Sequence, residues 1–460
     1  MNFISLSKVF FGYDDNNLLD GVSVAFNDSE HVAIVGDNGC GKTTLLKLLA
    51  GLLLPDSGNI TRNASIYMLN QLNVSDSKSG GEQQMFALMR AFDSNADILL
   101  LDEPTNNLDA DAKQLFFNRL HAYPNGIVMV SHDRELLQQM DKIIELQDGQ
   151  LKIYGGNYDF YIANKKLEQE QLNAKYANTQ KAISHLNNTI NVAQNTRAHH
   201  EAKQQKEIHN ARRSRIEANA LKGKSQETEG KKRAIIQKKL DEQILIQKSL
   251  SEQMRNNNIK IPVPNKTFYS KELVNVSRLC FSYCDKQIFK DFNFIMYGKS
   301  RVRLLGKNGS GKTTLLKIIC GDLKPESGTV KVFGKISYIN QDLSVLDKNK
   351  NIVENIMDIS DCLKHDAHAF AANFGFCGDL SLQRVGTLSG GELLKATLAA
   401  VLGGNEQPDL LILDEPTNNL EIKSISILEN ALNQYSGAIL LVSHDEMFAQ
   451  NIRIDSQIQL

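Results

Sequence analysis

Residues 32–44 read VAIVGDNGCGKTT and residues 302–314 read VRLLGKNGSGKTT, and this pair of stretches decides the fold. Each is a short apolar strand, then a loop of the form G-x-x-x-x-G-K-[ST], then the opening of an apolar helix. Gly36, Asp37, Asn38, Gly39, Cys40, Gly41, Lys42 and Thr43 form the first loop. Gly306, Lys307, Asn308, Gly309, Ser310, Gly311, Lys312 and Thr313 form the second. Glycine is needed because the backbone must wrap a phosphate with its N–H groups, and a Cβ would block the approach. Lys42 and Lys312 are expected to reach the β- and γ-phosphates of a nucleotide, and Thr43 and Thr313 to offer a hydroxyl to Mg²⁺. The helices that open at Thr44 and Thr314 aim their N-termini at the same phosphates. One match alone is weak; two matches in the same strand–loop–helix context make a chance resemblance very improbable.

Working outward, the chain repeats itself. Tyr13 and Tyr283, Gly36 and Gly306, and Gln71 and Gln341 all differ by 270, whereas Asp102 and Asp414, like His132 and His444, differ by 312. A period this long means duplicated domains rather than a solenoid. The reading is therefore an α/β chain with two P-loop domains, over 1–156 and 266–460. A different segment, 157–265, lies between them. From Asn157 to Lys260 it holds two glycines and no proline, and is rich in Lys, Gln, Glu, Asn and Ala, which favours helix. Apolar residues recur four or five apart (Ile162, Leu167, Leu172; Ile236, Leu240, Ile244), as two long packed helices require. The turn of this helical hairpin is expected at Leu221 to Gly230, and Pro262 and Pro264 end it.

The remaining motifs come in pairs. Ile98–Glu103 (ILLLDE) and Leu410–Glu415 (LLILDE) are apolar runs ending in two acids, as a strand buried on both faces of a parallel sheet would read. Asp102 and Asp414 would then hold Mg²⁺, and Glu103 and Glu415 would polarise the attacking water. His132 and His444 each follow another apolar strand, 30 residues after the Asp, and that shared spacing favours a γ-phosphate contact. Gln71 and Gln341 end short strands and could sense metal and water, or could simply lie on the surface. Tyr13 and Tyr283 suit adenine stacking, with core packing as the competing role. Ser79, Gly80 and Gly81, like Ser389, Gly390 and Gly391, open helices and so make an anion site from a hydroxyl and free N–H groups. Neither lies near a cradle in sequence, so the other domain's nucleotide is a candidate source of the phosphate they meet.

Composition narrows the class. The 460 residues are 42% hydrophobic and 23% charged, ordinary globular proportions. A net charge of −1 gives no global pull toward nucleic acid or membrane, so any such pull must be local. The six scattered cysteines read as reduced cytosolic thiols. No signal peptide and no apolar run long enough to span a bilayer is present, so a cytoplasmic protein is expected.

On these motifs the chain resembles the ATP-binding-cassette superfamily twice over: A-loop Tyr, Walker A, Q-loop, signature, Walker B, D-loop and H-loop. The resemblance implies a monomer with an intramolecular head-to-tail sandwich, in which Walker A of one domain shares ATP with the signature of the other. Within the superfamily it is similar to the ABC-F group of ribosome-associated translation factors. Two cassettes in one chain, no membrane domain and the helical pair introduced by GGNYDFYIANK (155–165) carry that likeness. It implies a ribosome partner, through rRNA and tRNA, with no DNA and no membrane. It also implies that the linker works near the tRNA exit site and the peptidyl-transferase region. From Arg197 to Lys239 thirteen basic residues face five acids, a local +8. Within it Arg212, Arg213, Arg215, Lys231, Lys232 and Arg233 are the candidate RNA contacts, a solvated coiled coil being the plainer alternative. No aromatic lies in that stretch, so base stacking is not the expected mode.

Departures from the pattern are informative. Gln71 and Ser79 are 8 residues apart, Gln341 and Ser389 48, so the first domain has lost most of its helical subdomain. The first signature has Lys78 where the second has Leu388, and the second D-loop ends in Glu421 where the first has Asp109. The compact outline is similar to that of antibiotic-resistance members of the group, which protect ribosomes. Two rival readings stay open. The fused ATPase pair of a membrane transporter gives the basic linker no task and normally docks its permease through the subdomain that is shrunken here. A DNA-transacting ATPase with a coiled-coil arm usually carries a far longer arm, inserted within a cassette rather than between two.

Overall fold

The computed structural model describes residues 3–13, 16–70, 80–106, 108–209, 234–251, 271–283, 286–307, 309–340, 343–404, 406–418 and 420–460. They fall into two compact units, Met1–Tyr161 with Asn258–Leu460, and Ile162–Asn257.

In the first unit the N-terminal cassette runs β1 (Phe3–Tyr13), β2 (Asn16–Asn27), β3 (His31–Gly36), α1 (Lys42–Ala50), β4 (Ser57–Arg62), β5 (Ile66–Leu69), α2 (Gly80–Asp93), β6 (Ile98–Asp102), α3 (Ala110–Ala122), β7 (Gly126–Val130), α4 (Arg134–Leu137), β8 (Lys142–Gln147) and β9 (Gln150–Gly155). Strands β2-β1-β4 form an antiparallel sheet, and β5-β6-β7-β3-β8-β9 form a sheet that is parallel except for its last pair. Every residue of β6 and β7 is buried, which is why these runs carry no alternation. Helix α5 (Tyr158–His209) leaves this cassette and continues into the second unit, where α6 covers 234–251.

The C-terminal cassette repeats the plan. It contains β10 (Glu272–Tyr283), β11 (Lys286–Tyr297), β12 (Arg301–Leu305), α7 (Lys312–Cys320), β13 (Ser327–Val332), β14 (Ile336–Ile339), α8 (Ile352–Ser360), α9 (Lys364–Asn373), α10 (Gly390–Leu402), β15 (Leu410–Asp414), α11 (Ile422–Gln434), β16 (Ala438–Val442), α12 (Glu446–Asn451) and β17 (Ser456–Gln459). Its sheets are β11-β10-β13 and the parallel β14-β15-β16-β12-β17. Helices α8 and α9 stand between β14 and α10, whereas the first cassette has only 71–79, outside the described residues, between Asn70 and α2.

Sheet order places both sites. The cradle follows the central strand β3 or β12, and the acidic pair ends β6 or β15, one strand beyond the neighbour β7 or β16. All the relevant strand ends lie at the carboxyl edge, where open α/β sheets bind ligands.

The two cassettes share apolar contacts. Ile422 of α11 is buried in the cluster formed by Phe116, Tyr154, Tyr158 and Tyr161, and Met447 packs against it. Among the described residues no helix is long and apolar enough to cross a membrane. The described cysteines are all free thiols.

Candidate active sites

The cradles have the same backbone. Gly39 and Gly41 take φ of 78° and 104°, and Gly309 and Gly311 repeat both values. A side chain disfavours that left-handed region, and at Gly311 a Cβ would also sit 2.4 Å from Ile288 Cγ2. Beyond Gly39 and Gly309 the space is open, with nothing within 4 Å of a Cβ. Lys42 Nζ donates to the carbonyls of Gly36 at 2.8 Å and Asp37 at 3.0 Å. Lys312 Nζ does the same to Gly306 at 2.6 Å and Lys307 at 3.1 Å. Each ammonium is thus curled over its own loop, a cationic rim on a ring of N–H groups.

Beside each loop an acid meets a hydroxyl. Thr43 Oγ1 donates to Asp102 Oδ2 at 2.7 Å and Thr313 Oγ1 to Asp414 Oδ2 at 3.2 Å. Hard oxygens side by side suit Mg²⁺. Among the described residues no three His, Cys, Asp or Glu side chains gather into a cage. An ion held here would draw its other ligands from water and phosphate, which is the habit of Mg²⁺. Burial raises the Asp102 carboxyl above its ordinary range, and the Thr43 hydrogen bond and Lys42 oppose that rise.

Glu103 and Glu415 both have positive φ, 48° and 47°. That costs a residue with a Cβ about 1–3 kcal/mol, and it recurs at the same place in both cassettes. The backbone fixes it: Glu103 N–H donates to Val130 O at 2.9 Å and Glu415 N–H to Val442 O at 2.8 Å. Burial pushes Glu103 up to about 8 and Glu415 up to about 7. His132 Nε2 lies 3.3 Å from Glu103 Oε1, and His444 Nε2 3.5 Å from Glu415 Oε1. Burial pushes the two imidazoles down to about 3 and about 4. Near pH 7 the His132–Glu103 contact is therefore one between neutral groups, not an ion pair.

The raised carboxyl has a consequence for stability. Between an unfolded value near 4.5 and a folded value of about 8, the native protein binds the extra proton, so its stability falls as pH rises through that window. Glu103→Gln removes the share of the slope that Glu103 contributes, leaving that of Glu415. Without nucleotide and with EDTA, the variant should match the parent near pH 4.5 and exceed it by about 4 kcal/mol at pH 9. Denaturant melts across that range measure the difference, and a pH-independent offset would contradict the assignment.

Tyr13 and Tyr283 are 51% and 48% exposed, which removes core packing as their role. Each makes a T-shaped ring contact with a phenylalanine, Phe11 at 5.1 Å and Phe281 at 4.9 Å between centroids. Tyr13 lines a cleft of about 620 Å³ together with Lys42, Thr43, Asp102, Glu103 and His132.

Across the interface, Gly390 comes close to the first cradle: a Cβ there would lie 3.9 Å from Asn38 Nδ2. Ser389 caps α10 and donates its hydroxyl to Glu392 at 2.8 Å. Lys423 Nζ reaches Asp37 at 2.9 Å, and the Glu421 carboxylate accepts the Asn38 N–H. On the other side Lys307 pairs with Asp111 at 2.8 Å. The side chains at 37 and 307 thus face the opposite cassette. Asp109 caps its own helix by accepting from Ala112 N–H at 3.0 Å, while Glu421 leaves its helix uncapped and bonds the other cassette's loop. Gln71, Gln341, Ser79 and Asn308 lie outside the described residues, as do Arg212, Arg213, Arg215, Lys231, Lys232, Arg233 and the expected turn at Leu221–Gly230. Gly80 and Gly81 open α2.

The reading from sequence did not find the left-handed glutamates, the Lys423–Asp37 bridge or the buried Arg303. Arg303 is 1% exposed; its Nε and Nη2 donate to Ser443 O at 3.1 and 2.9 Å, bracing the backbone just before His444. Its repeat counterpart is Ala33, a difference visible in the aligned halves.

Comparison with known proteins agrees with this geometry. An ABC transporter family model matches residues 19–76, 63–106 and 289–418, and a second ABC transporter model matches 144–227. Ribosome protection protein VmlR of Bacillus subtilis is 29% identical over 97% of this chain and 85% of its own. The energy-dependent translational throttle protein EttA of Mycobacterium tuberculosis is 29% identical over 96% of this chain and 89% of its own. ATP-binding protein Uup of Haemophilus influenzae is 28% identical over 98% of this chain and 78% of its own. The fold is also that of archaeal ribosome recycling factor aABCE1, solved in complex with ribosomal stalk protein aP1, with a TM-score of 0.58 at 17% identity over 98% of this chain and 87% of that one. Fold and site together define a tandem ATP-binding-cassette ATPase, a nucleotide-binding and ATP-hydrolysing protein. Within that class the chain belongs to the ABC-F family.

Proposed function

We propose that the chain is a ribosome-directed ATPase that closes two composite sites on ATP and acts through its basic linker. Site one joins the first cradle to Ser389, Gly390 and Gly391; site two joins the second cradle to Ser79, Gly80 and Gly81. Tyr13 and Tyr283 stack on adenine. Lys42 and Lys312 leave their own carbonyls for the β- and γ-phosphates. Thr43 with Asp102, and Thr313 with Asp414, would hold Mg²⁺, with Gln71 and Gln341 beside them; the ion supplies charge neutralisation on the phosphate oxygens. Glu103 and Glu415, in their ionised form, orient a water and take its proton as its oxygen attacks the γ-phosphoryl group and the bond to ADP breaks, releasing phosphate. His132 and His444 hold that group in line.

The linker would place Arg212, Arg213, Arg215, Lys231, Lys232 and Arg233 against RNA phosphates near the tRNA exit and peptidyl-transferase region. The outcome is ribosome protection against antibiotics or regulation of translation. One observation carries the ribosome reading. The likeness to VmlR and EttA runs through 97% and 96% of the chain, so it spans the linker as well as the cassettes.

Co-sedimentation of the Glu103→Gln, Glu415→Gln variant with ribosomes, with and without ATP, tests it. ATP-dependent pelleting is the expected result. Intact ATP binding with no pelleting would overturn the proposal and return the transporter ATPase as the reading to pursue.

A further inference from the structure

The two acids that end β6 and β15 do not have the same surroundings. Asp102 Oδ2 accepts Thr43 Oγ1 at 2.7 Å. Asp414 Oδ2 accepts two donors, Thr313 Oγ1 at 3.2 Å and Tyr338 Oη at 3.0 Å. Tyr338 sits on β14 and pairs in register with Ile412 of β15, two residues before Asp414, so its phenol reaches along the strand to the carboxylate. Its repeat counterpart in the first cassette is Met68, which has no proton to donate.

We propose that Tyr338 is a positioning residue for Asp414 that gives the second cassette a tighter divalent-cation site than the first. This rests on the reading that Thr313 and Asp414 hold the ion. A carboxylate fixed by an outer hydrogen bond is already ordered when an ion arrives, so less freedom is lost on binding. Among the described residues Asp102 accepts a side-chain hydrogen bond from the threonine hydroxyl alone, which must itself turn toward the ion, so its orientation is set during binding. The phenol donates to the same oxygen as Thr313 and stays behind when the threonine turns. Nucleotide would then be retained longer in site two than in site one, by a difference in one side chain of β14.

The test uses the full chain with Mn²⁺ as the probe, a non-hydrolysable ATP analogue, and electron paramagnetic resonance to count bound ion. Lys42→Ala silences the first cradle and leaves site two to be read. In that background Tyr338→Phe should weaken Mn²⁺ by about tenfold or more. Analogue binding in EDTA should stay unchanged, since the ring remains and only the hydroxyl is lost. In the Lys312→Ala background, which reads site one, Tyr338→Phe should have no effect. A Mn²⁺ affinity within about twofold of the parent in the first background would overturn the proposal. Equal weakening of analogue binding in EDTA would overturn it too, because the effect would then be structural. If Lys42→Ala protein bound the analogue but no Mn²⁺, or if Asp414→Asn left Mn²⁺ binding intact, the underlying assignment of the ion to Asp414 would fall first.

Discussion

Replacing Glu103 and Glu415 together with glutamine should lower ATP turnover by about 10²–10⁴-fold while ATP still binds. The size follows from the geometry. Each glutamate is held at positive φ by a backbone hydrogen bond to the neighbouring strand, so glutamine inherits the position and loses only the basic oxygen. The cradle, the Thr43–Asp102 and Thr313–Asp414 pairs, and the cross-cassette contacts are untouched by the change. Binding should hold and chemistry should stop, which traps the closed, ATP-bound form. Single-turnover hydrolysis beside equilibrium nucleotide binding separates the two effects. Turnover within about threefold of the parent would remove both glutamates from the role of base.

Ribosome affinity should fall by about a thousandfold between 50 and 200 mM salt, if about six phosphates are neutralised by the linker. The chain is near neutral as a whole, with a net charge of −1, so this response must come from the local +8 of residues 197–239. Reversing Arg212, Arg213 and Arg215 to glutamate should flatten the salt dependence and weaken binding at low salt. Basal ATPase, carried by the cassettes, should be unchanged. Sedimentation titrations at several salt concentrations give the slope, and a flat response in the parent would refute phosphate neutralisation.

The strands, cradles and acid pairs were legible in the sequence because each obeys a strong local rule. A buried parallel strand has no polar alternation, a phosphate loop needs glycine at fixed spacing, and duplication shows every motif twice. Asp109 as a helix cap was equally within reach, since Asp at that place commonly accepts its own helix's N–H. The contacts of Glu421 were not. It is uncapped in its own helix because its carboxylate is spent on Asn38 of the other cassette, a partner 383 residues away. Tertiary pairing of this kind leaves no periodicity to read. The exposure of Tyr13 and Tyr283 was also beyond sequence, since an aromatic near an apolar strand fits a core as well as a ligand. Arg303 and Tyr338 were half-visible. They stand opposite Ala33 and Met68 when the halves are aligned, but only the fold shows that each touches the machinery of its site.

The burial of Ile422 among Phe116, Tyr154, Tyr158 and Tyr161, with Met447 beside it, bears on how the molecule can be dissected. A fragment ending after Tyr161 would carry that aromatic pocket uncapped into water. A fragment beginning at the C-terminal cassette would present its isoleucine and methionine as a sticky knob. Each piece would tend to self-associate, and activities measured on separately expressed halves would describe aggregates rather than half of a machine. The smallest faithful specimen for functional work is the uninterrupted polypeptide.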